Sequence, residues 1–378
     1  QGCSHLKTRQ SSASKPVNVL PRVRNCGGPR RRAKQAIGKA VSKTARMLKK
    51  AVLGIVLAVI AIKLLNLWPS SCVCTLPGRL DGKVVLITDG ASFLGRETAA
   101  EFARRGAKVL MGSASPAEFE MVRNSILEDY SEQGLKVTED IASEEMRQFI
   151  KPVKESQFIF IETHLNSLAS VRKFAKDVAK TTKRLDFLVN NAAVNHGPYR
   201  LTEDKLEMTM AIGHLAHYLL TDELSPLLTK TKPGARVIII SSAEHYAGSF
   251  ADGSLFLERG EFNSIKAFSK MKLANVLHGV ILAEKFKKTT VIPVSLHPGY
   301  VLPQIGMLVP TLFGAFFKTR WEAAQTVIQA ALTKDLQPGG YYDNCKLVQP
   351  NAEVLNQTIV EIVQKESNNV LNKILKKR

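Results

Sequence analysis

Acidic residues are missing from the first 80 positions, which hold 16 Lys and Arg and no Asp or Glu. The chain's formal net charge of +20 therefore comes mostly from that stretch, and all 33 acidic residues lie beyond it, leaving 81–378 nearly balanced. Cysteine is scarce: five in 378 residues cannot staple a chain this long, which excludes a small disulfide-rich secreted scaffold. Aromatics make up only 7% and charged residues 23%, against 45% hydrophobic residues. That balance fits a packed globular protein and excludes a disordered, collagen-like or wholly membrane-embedded chain. No internal repeat is visible. No metal-ligand spacing occurs either: Cys72-Val73-Cys74 has no accompanying His pair, so no metal is expected.

Residues 1–46 are rich in Lys, Arg, Ser, Gly and Pro, as in Pro29-Arg30-Arg31-Arg32, and cannot bury enough apolar surface to fold alone. They read as a basic, disordered extension upstream of Met47-Leu48-Lys49-Lys50, which resembles the start of a signal anchor; no specific function is assigned to them. A membrane anchor is expected over 47–70. Its apolar run, 51–68, would rise roughly 27 Å as a helix, slightly short of a hydrocarbon core of roughly 30 Å. Lys63 can snorkel and Trp68 suits the headgroup level. A spanning helix here would leave the basic N-terminal flank cytosolic.

From Gly82 onward, short β-rich runs alternate with longer helical patterns. Strands are expected at 83–88, 107–111, 157–162, 185–189, 235–241 and 290–296, several continuously apolar as if covered on both faces. Helical patterns fill 95–105, 167–181, 203–229, 264–287, 320–333 and 352–374. The charged stretch 115–156 reads as a helical surface excursion. This alternation predicts a doubly wound, Rossmann-like α/β domain with a seven-stranded parallel sheet over 81–345, its first strand near the centre, and a helical C-terminal extension over 346–378. Ligands of such folds bind beyond the carboxyl ends of the strands, where a helix N-terminus meets phosphate. Here that turn is Thr88-Asp89-Gly90-Ala91-Ser92-Phe93-Leu94-Gly95.

Later segments carry a family resemblance. Leu188-Val189-Asn190-Asn191-Ala192-Ala193 follows the fourth strand, and Arg236-Val237-Ile238-Ile239-Ile240-Ser241-Ser242 forms the fifth. Phe268-Ser269-Lys270-Met271-Lys272-Leu273-Ala274-Asn275 lies on a helix, and His297-Pro298-Gly299 follows the sixth strand. In this order they resemble the short-chain dehydrogenase/reductases, particularly the membrane-anchored retinol dehydrogenases. Cys72-Val73-Cys74-Thr75, His214-Leu215-Ala216-His217-Tyr218-Leu219-Leu220-Thr221 and Gly340-Tyr341-Tyr342 add to that likeness. The resemblance implies hydride exchange between a nicotinamide ring, of NADP or NAD, and a carbonyl or alcohol carbon. It implies cofactor contacts at Thr88, Gly90, Gly95, Asn190, Ala192, Lys272, Pro298 and Gly299.

The same resemblance places the proton-donating tyrosine at Phe268, its supporting lysine at Lys272, the substrate-binding serine at Ser242 and a relay asparagine at Gly213. Ser242 and Lys272 match; Phe268 has no hydroxyl and Gly213 no side chain. Losing general acid–base participation costs roughly 10²–10⁴-fold in rate. On the cofactor side, Asp89 and Phe93 replace glycines of the phosphate turn. A carboxylate about 5 Å from a phosphate, at an effective dielectric near 20, repels it by about 3 kcal/mol. After the second strand, Ala114 stands where an arginine would meet a 2′-phosphate, with no acid expected for a ribose either. His164 stands at an adenine-contacting position. Tyr246 and Tyr300 are expected at the rim.

These departures favour a catalytically impaired, membrane-anchored protein of the retinol-dehydrogenase type that binds a lipid or acts as a scaffold, located in the endoplasmic reticulum by resemblance. The alternative is an active NAD(P)-dependent oxidoreductase on retinol, retinal or another lipophilic alcohol or carbonyl. A third reading, a basic tail acting on nucleic acid or anionic lipid, rests only on residues 1–46, and no nucleic-acid partner is expected. The apolar stretch from Tyr300 to Phe317 reads as a flap over a lipophilic ligand, a bilayer contact or simple packing. A homodimer is also allowed.

Overall fold

The computed structural model describes residues 76–132, 147–301 and 317–376, with a few helical positions between 41 and 54. The apolar run 51–68 lies outside the described residues except for Gly54, as does 302–316 of the expected flap. No helix among the described residues is long and apolar enough to cross a membrane.

Among the described residues, eight strands form one sheet: β1 (Val84–Ile87), β2 (Lys108–Ser113), β3 (Phe158–Glu162), β4 (Phe187–Asn190), β5 (Ala235–Ile240), β6 (Val291–His297), β7 (Tyr341–Asp343) and β8 (Lys346–Val348). Their order is β3-β2-β1-β4-β5-β6-β7-β8. The first seven run parallel and β8 pairs antiparallel with β7. The doubly wound expectation thus holds with one correction: the sheet gains an antiparallel edge strand, and residues 346–348, expected to open a helical extension, form it. The extension's helix starts only at Gln357.

The helices are α1 (Phe93–Arg104), α2 (Pro116–Tyr130), α3 (Leu168–Thr181), α4 (Ala216–Lys230), α5 (Ser264–Lys285), α6 (Arg320–Leu332) and α7 (Gln357–Leu375). A helical turn, Met208–Met210, and a π-helical turn, Ala211–Leu215, lead into α4. All four residues of β1 are buried, and successive side chains of a strand point to opposite faces. Val84 and Leu86 accordingly join one core with Phe174, Leu220 and Leu277 from α3, α4 and α5. Val85 and Ile87 join the other with Ala99, Phe102 and Val327 from α1 and α6. A strand apolar on both faces is stable only with helices on both sides, which explains its continuous hydrophobic sequence.

Strand order reverses at β1, whose neighbours are β2 and β4, so a crevice opens beyond their carboxyl ends. Thr88 ties this point together. Its Oγ accepts from the backbone N–H of Asn191 (2.9 Å) and Ala192 (3.1 Å). Nδ1 of His217 lies 3.2 Å from the Gly213 carbonyl and donates to it, so Nε2 accepts the Thr88 hydroxyl proton at 2.9 Å. The Asn191 amide adds bonds to the carbonyls of Thr88 and Asp89 and to Ser92 Oγ. Thr88 is fully buried, so Thr88→Val strands two N–H groups without water, at about 1–3 kcal/mol each. Urea denaturation is expected to show Thr88→Val destabilised by about 2–4 kcal/mol and Thr88→Ser by less than about 1 kcal/mol.

Candidate active site

The places expected for proton transfer do converge. Ser242 follows β5 and caps the short 3-10 turn Ala243–Ala247, its Oγ accepting from the Glu244 N–H at 3.3 Å. Phe268 and Lys272 share a face of α5, one turn apart, with the Lys272 ammonium 5.2 Å from the centre of the Phe268 ring. Lys272 is 4% exposed and its Nζ donates to the Ile240 carbonyl at 3.2 Å. The amine therefore has a backbone partner within the fold. Ser241 pins the same segment by donating to the Lys272 carbonyl at 2.8 Å.

Gly213 lies in the π turn, and Met271 occupies the space beside it. A Cβ added at Gly213 would fall 2.6 Å from Met271 Sδ and 2.7 Å from its Cγ, closer than atoms of a packed interior tolerate. An asparagine does not fit while Met271 keeps this position. On its outer side Phe268 meets His196, ring centroids 4.6 Å apart. His196 sits at φ 35°, and its Nε2 is 3.8 Å from Glu244 Oε1. Sequence reasoning passed over His196, Glu244 and Met271. Only the helical spacing of Met271 from Phe268 hinted at a shared face.

The cofactor half is mixed. Asp89 adopts φ 51°, the left-handed conformation usually left to glycine. Gly95 is required by close approach, since a Cβ there would lie 2.3 Å from the Asp89 carbonyl. Gly90 packs on Met111, with a Cβ position 3.0 Å from the Met111 Cβ. Ser92 caps α1 by accepting from the Gly95 N–H at 3.2 Å. Phe93, the first residue of that helix, is 36% exposed, and the Arg320 guanidinium lies 3.9 Å from its ring centre. Burial first, and Glu118 second, push the Asp89 carboxyl above its usual range, with a hydrogen bond to Ser92 opposing them.

Asn190 is fully buried, and its amide donates to Thr221 (3.1 Å), so it serves the framework. Ala192 lines a cavity of about 400 Å³ with Asp89, Ala114, Glu118, Thr163 and His164. Glu118 reaches Ser113 Oγ at the end of β2. The first turn of α2 thus brings a carboxyl to the end of β2, which spacing alone did not indicate. Pro298 is buried, and Gly299 at φ 101° lets Lys318 pass where a Cβ would lie 2.5 Å from its Cδ. Tyr246 donates outward to the Gln349 carbonyl and Tyr300 packs on His297, as rim residues. No cluster of metal-binding side chains occurs among the described residues.

A nicotinamide dinucleotide therefore fits in part. The cavity and the buried Thr163 hydroxyl, which has no hydrogen-bond partner among the described residues, suit a polar nucleoside end. The Asp89 carboxyl and Phe93 ring do not suit a diphosphate, and Phe268 supplies no proton.

Burial lowers the Lys272 pKa from 10.5 to about 8, opposed by Glu244. Between these values the unfolded chain keeps a proton that the folded chain has released, so stability rises with pH across that window. The burial penalty is fully present below about pH 8. The stabilising effect of Lys272→Met, measured by urea denaturation, is expected to be largest near pH 7 and to fade by about pH 10.5. An effect independent of pH would contradict a buried, depressed amine.

The short chain dehydrogenase family pattern matches residues 125–251. Retinol dehydrogenase 14 of Mus musculus is 36% identical over 282 residues, covering 71% of this chain and 80% of that protein. Retinol dehydrogenase 12 of Bos taurus is 34% identical, covering 72% and 81%. An uncharacterised protein from Mycobacterium paratuberculosis superposes with a TM-score of 0.60 at 24% identity, over 80% of this chain and 97% of that one. That likeness concerns the fold alone. With relatives more than 30% identical over more than two thirds of its length, the chain belongs to the short-chain dehydrogenase family and within it resembles the retinol dehydrogenases.

Proposed function

We propose that this is a retinol-dehydrogenase-like protein whose proton relay is dismantled, serving as a membrane-anchored lipid-binding or scaffold protein of the endoplasmic reticulum. One observation carries the reading: Phe268, without a hydroxyl, stands beside a Lys272 already bonded to a backbone carbonyl, and Met271 fills the relay position at Gly213. Family membership supports a nicotinamide cofactor as a class, and the preserved adenosine-side cavity agrees with it. The damage concentrates where diphosphate and proton would be handled. The apolar sequence at 51–68 and 300–317 supports a membrane and a lipophilic ligand.

A second reading, an active NAD(P)-dependent oxidoreductase on retinol, retinal or another lipophilic alcohol or carbonyl, draws on His196. Its ring lies on Phe268 and its Nε2 near Glu244, an acid–base pair beside the vacated hydroxyl.

NADPH and NADH oxidation with all-trans-retinal decides between them. Turnover at least about 10²-fold below that of an active retinol dehydrogenase is expected. Phe268→Tyr alone should restore little. Recovery should need Asp89→Gly, Phe93→Gly, Ala114→Arg and Gly213→Asn besides, with Met271→Ala to make room for the asparagine. Steady wild-type turnover abolished by His196→Ala would establish the second reading. Alkaline carbonate extraction checks the anchor: the full-length protein should stay with the membrane pellet.

A further inference from the structure

Cys345, at the turn between β7 and β8, is disulfide-bonded. The other four cysteines, Cys3, Cys26, Cys72 and Cys74, all precede β1, so its partner comes from that part of the chain. Two contacts on α6 narrow the choice. The Gln329 side chain donates to the Cys345 carbonyl at 2.7 Å. One turn further along α6, Leu332 packs against Gly78, where a Cβ would lie 2.9 Å from Leu332 Cδ2. Arg105 holds the same incoming segment by donating to the carbonyls of Leu76 and Gly78, each at 2.9 Å. The chain thus enters the body across the end of α6, a helical turn from the place where Cys345 is held. Cys74 and Cys72 lie four and six residues before Gly78. Extended chain of that length spans up to about 14 and 22 Å, one helical turn rises about 5.4 Å, and bonded cysteines need Cα atoms about 5.5–6 Å apart. Either residue is within reach of Cys345, whereas the apolar run 51–68 separates Cys3 and Cys26 from the body.

A lasting disulfide belongs to an oxidising compartment, because thiols in the cytosol are kept reduced. Two features of the sequence point independently to the same side. Eight Lys and Arg lie in 31–50, ahead of the apolar run, against two in 69–88 after it, Arg79 and Lys83. The more basic flank of a span stays in the cytosol, which puts the chain beyond the span on the opposite side. Asn356-Gln357-Thr358 is the sequence's single Asn-x-Ser/Thr acceptor. Asn356 and Thr358 are both exposed at the start of α7. The helix cap uses Asn356 Oδ1, which accepts from the Thr358 N–H at 3.0 Å, and not the amide nitrogen that a glycan would take.

We infer that the body of this protein lies on the lumenal side of its membrane, where Cys345 is joined to Cys72 or Cys74 and Asn356 accepts an N-linked glycan. Two thiols give up two protons and two electrons as the S–S bond forms, and an external protein disulfide takes them up and becomes a dithiol. At Asn356 the Nδ2 bonds to the anomeric carbon of an oligosaccharide as that carbon's bond to a lipid diphosphate breaks. The diphosphate leaves with the bonding pair, and the amide gives up one proton. The inference rests on the anchor proposed above and is independent of whether the cleft turns over a substrate.

The test is synthesis of the full-length protein with sealed endoplasmic-reticulum vesicles. Protease added outside should leave the body intact until detergent opens the vesicles. The protein should carry one glycan, seen as a mobility shift reversed by endoglycosidase H. Asn356→Gln and Thr358→Ala should remove that shift, and Thr358→Ser should keep it. In denaturant, Cys345 should resist maleimide until a reductant is added, and should react without reductant once Cys72→Ser and Cys74→Ser are combined. Digestion of the body in sealed vesicles, a wild-type protein without the endoglycosidase shift, or wild-type Cys345 reacting before reduction each overturns the inference, and none of these readings needs a variant to fold. A Cys345 still protected in the double variant overturns the pairing. Release by alkaline carbonate with bond and glycan intact fails the anchor alone. Retention in the membrane with the body digested from outside fails the inference alone.

Discussion

One hydroxyl holds the centre of this molecule. At Thr88 the first strand ends, the sheet reverses its order and the chain turns toward α1. Two backbone N–H groups from the segment after β4 point into this place and have no other partner available. Because Thr88 Oγ takes both and passes its own proton to His217, the ends of β1 and β4 and the start of α4 are fixed against one another. Burial holds the His217 pKa down at about 4, so the ring stays neutral and keeps its accepting nitrogen through the physiological range. The crevice beyond the strands keeps its shape through these bonds, independently of any ligand.

The two halves of that cleft differ in physical character. In the half around Phe268 and Lys272 packing dominates: an aromatic ring and the Met271 thioether fill the space beside Gly213, and the Lys272 amine donates to a backbone carbonyl. Such a region is comfortable as a small core, and little in it asks for a partner. In the half beyond the ends of β1 and β2 charge dominates. Half-buried carboxyls and an unpaired hydroxyl remain around an open volume, and groups of that kind are stable only when something polar meets them.

Much of the framework was legible before the structure. Strands β1 to β6 stand out because a strand covered on both faces must be apolar throughout, and the helices between them carry their own period. Strands β7 and β8 escaped because three residues each, Tyr341–Asp343 and Lys346–Val348, are too short for any period to register. Phe268 and Gly213 were readable as departures, since a family pattern fixes what each position is for. Met271 was not, because the cavity it fills belongs to a residue far away in sequence. Glu118 was missed for a similar reason: its position depends on how sharply the chain turns after β2, which the Ser115 cap sets and spacing alone does not reveal.

The turn that carries Ser242 is held from the far end of the chain. The Asn351 side chain donates toward the carbonyls of His245, Tyr246 and Gly248, its backbone N–H meets His245 Nε2, and Glu353 accepts from Ser249 and from the Phe250 N–H. These partners follow Ser242 by more than a hundred residues. During synthesis on a ribosome the sheet from β1 to β6 can assemble while this turn still lacks its clamp. The Ser242 turn then reaches its final form only after Asn351 and Glu353 have emerged, later than β1 to β6. A ribosome stalled or a chain nicked shortly before Asn351 would release a protein with a complete-looking sheet and a loose Ser242 turn. A chain ending there would also lack Val360, Val363 and Leu371 of α7, which are buried in the same core as Leu277, so apolar surface on α5 would be left uncovered.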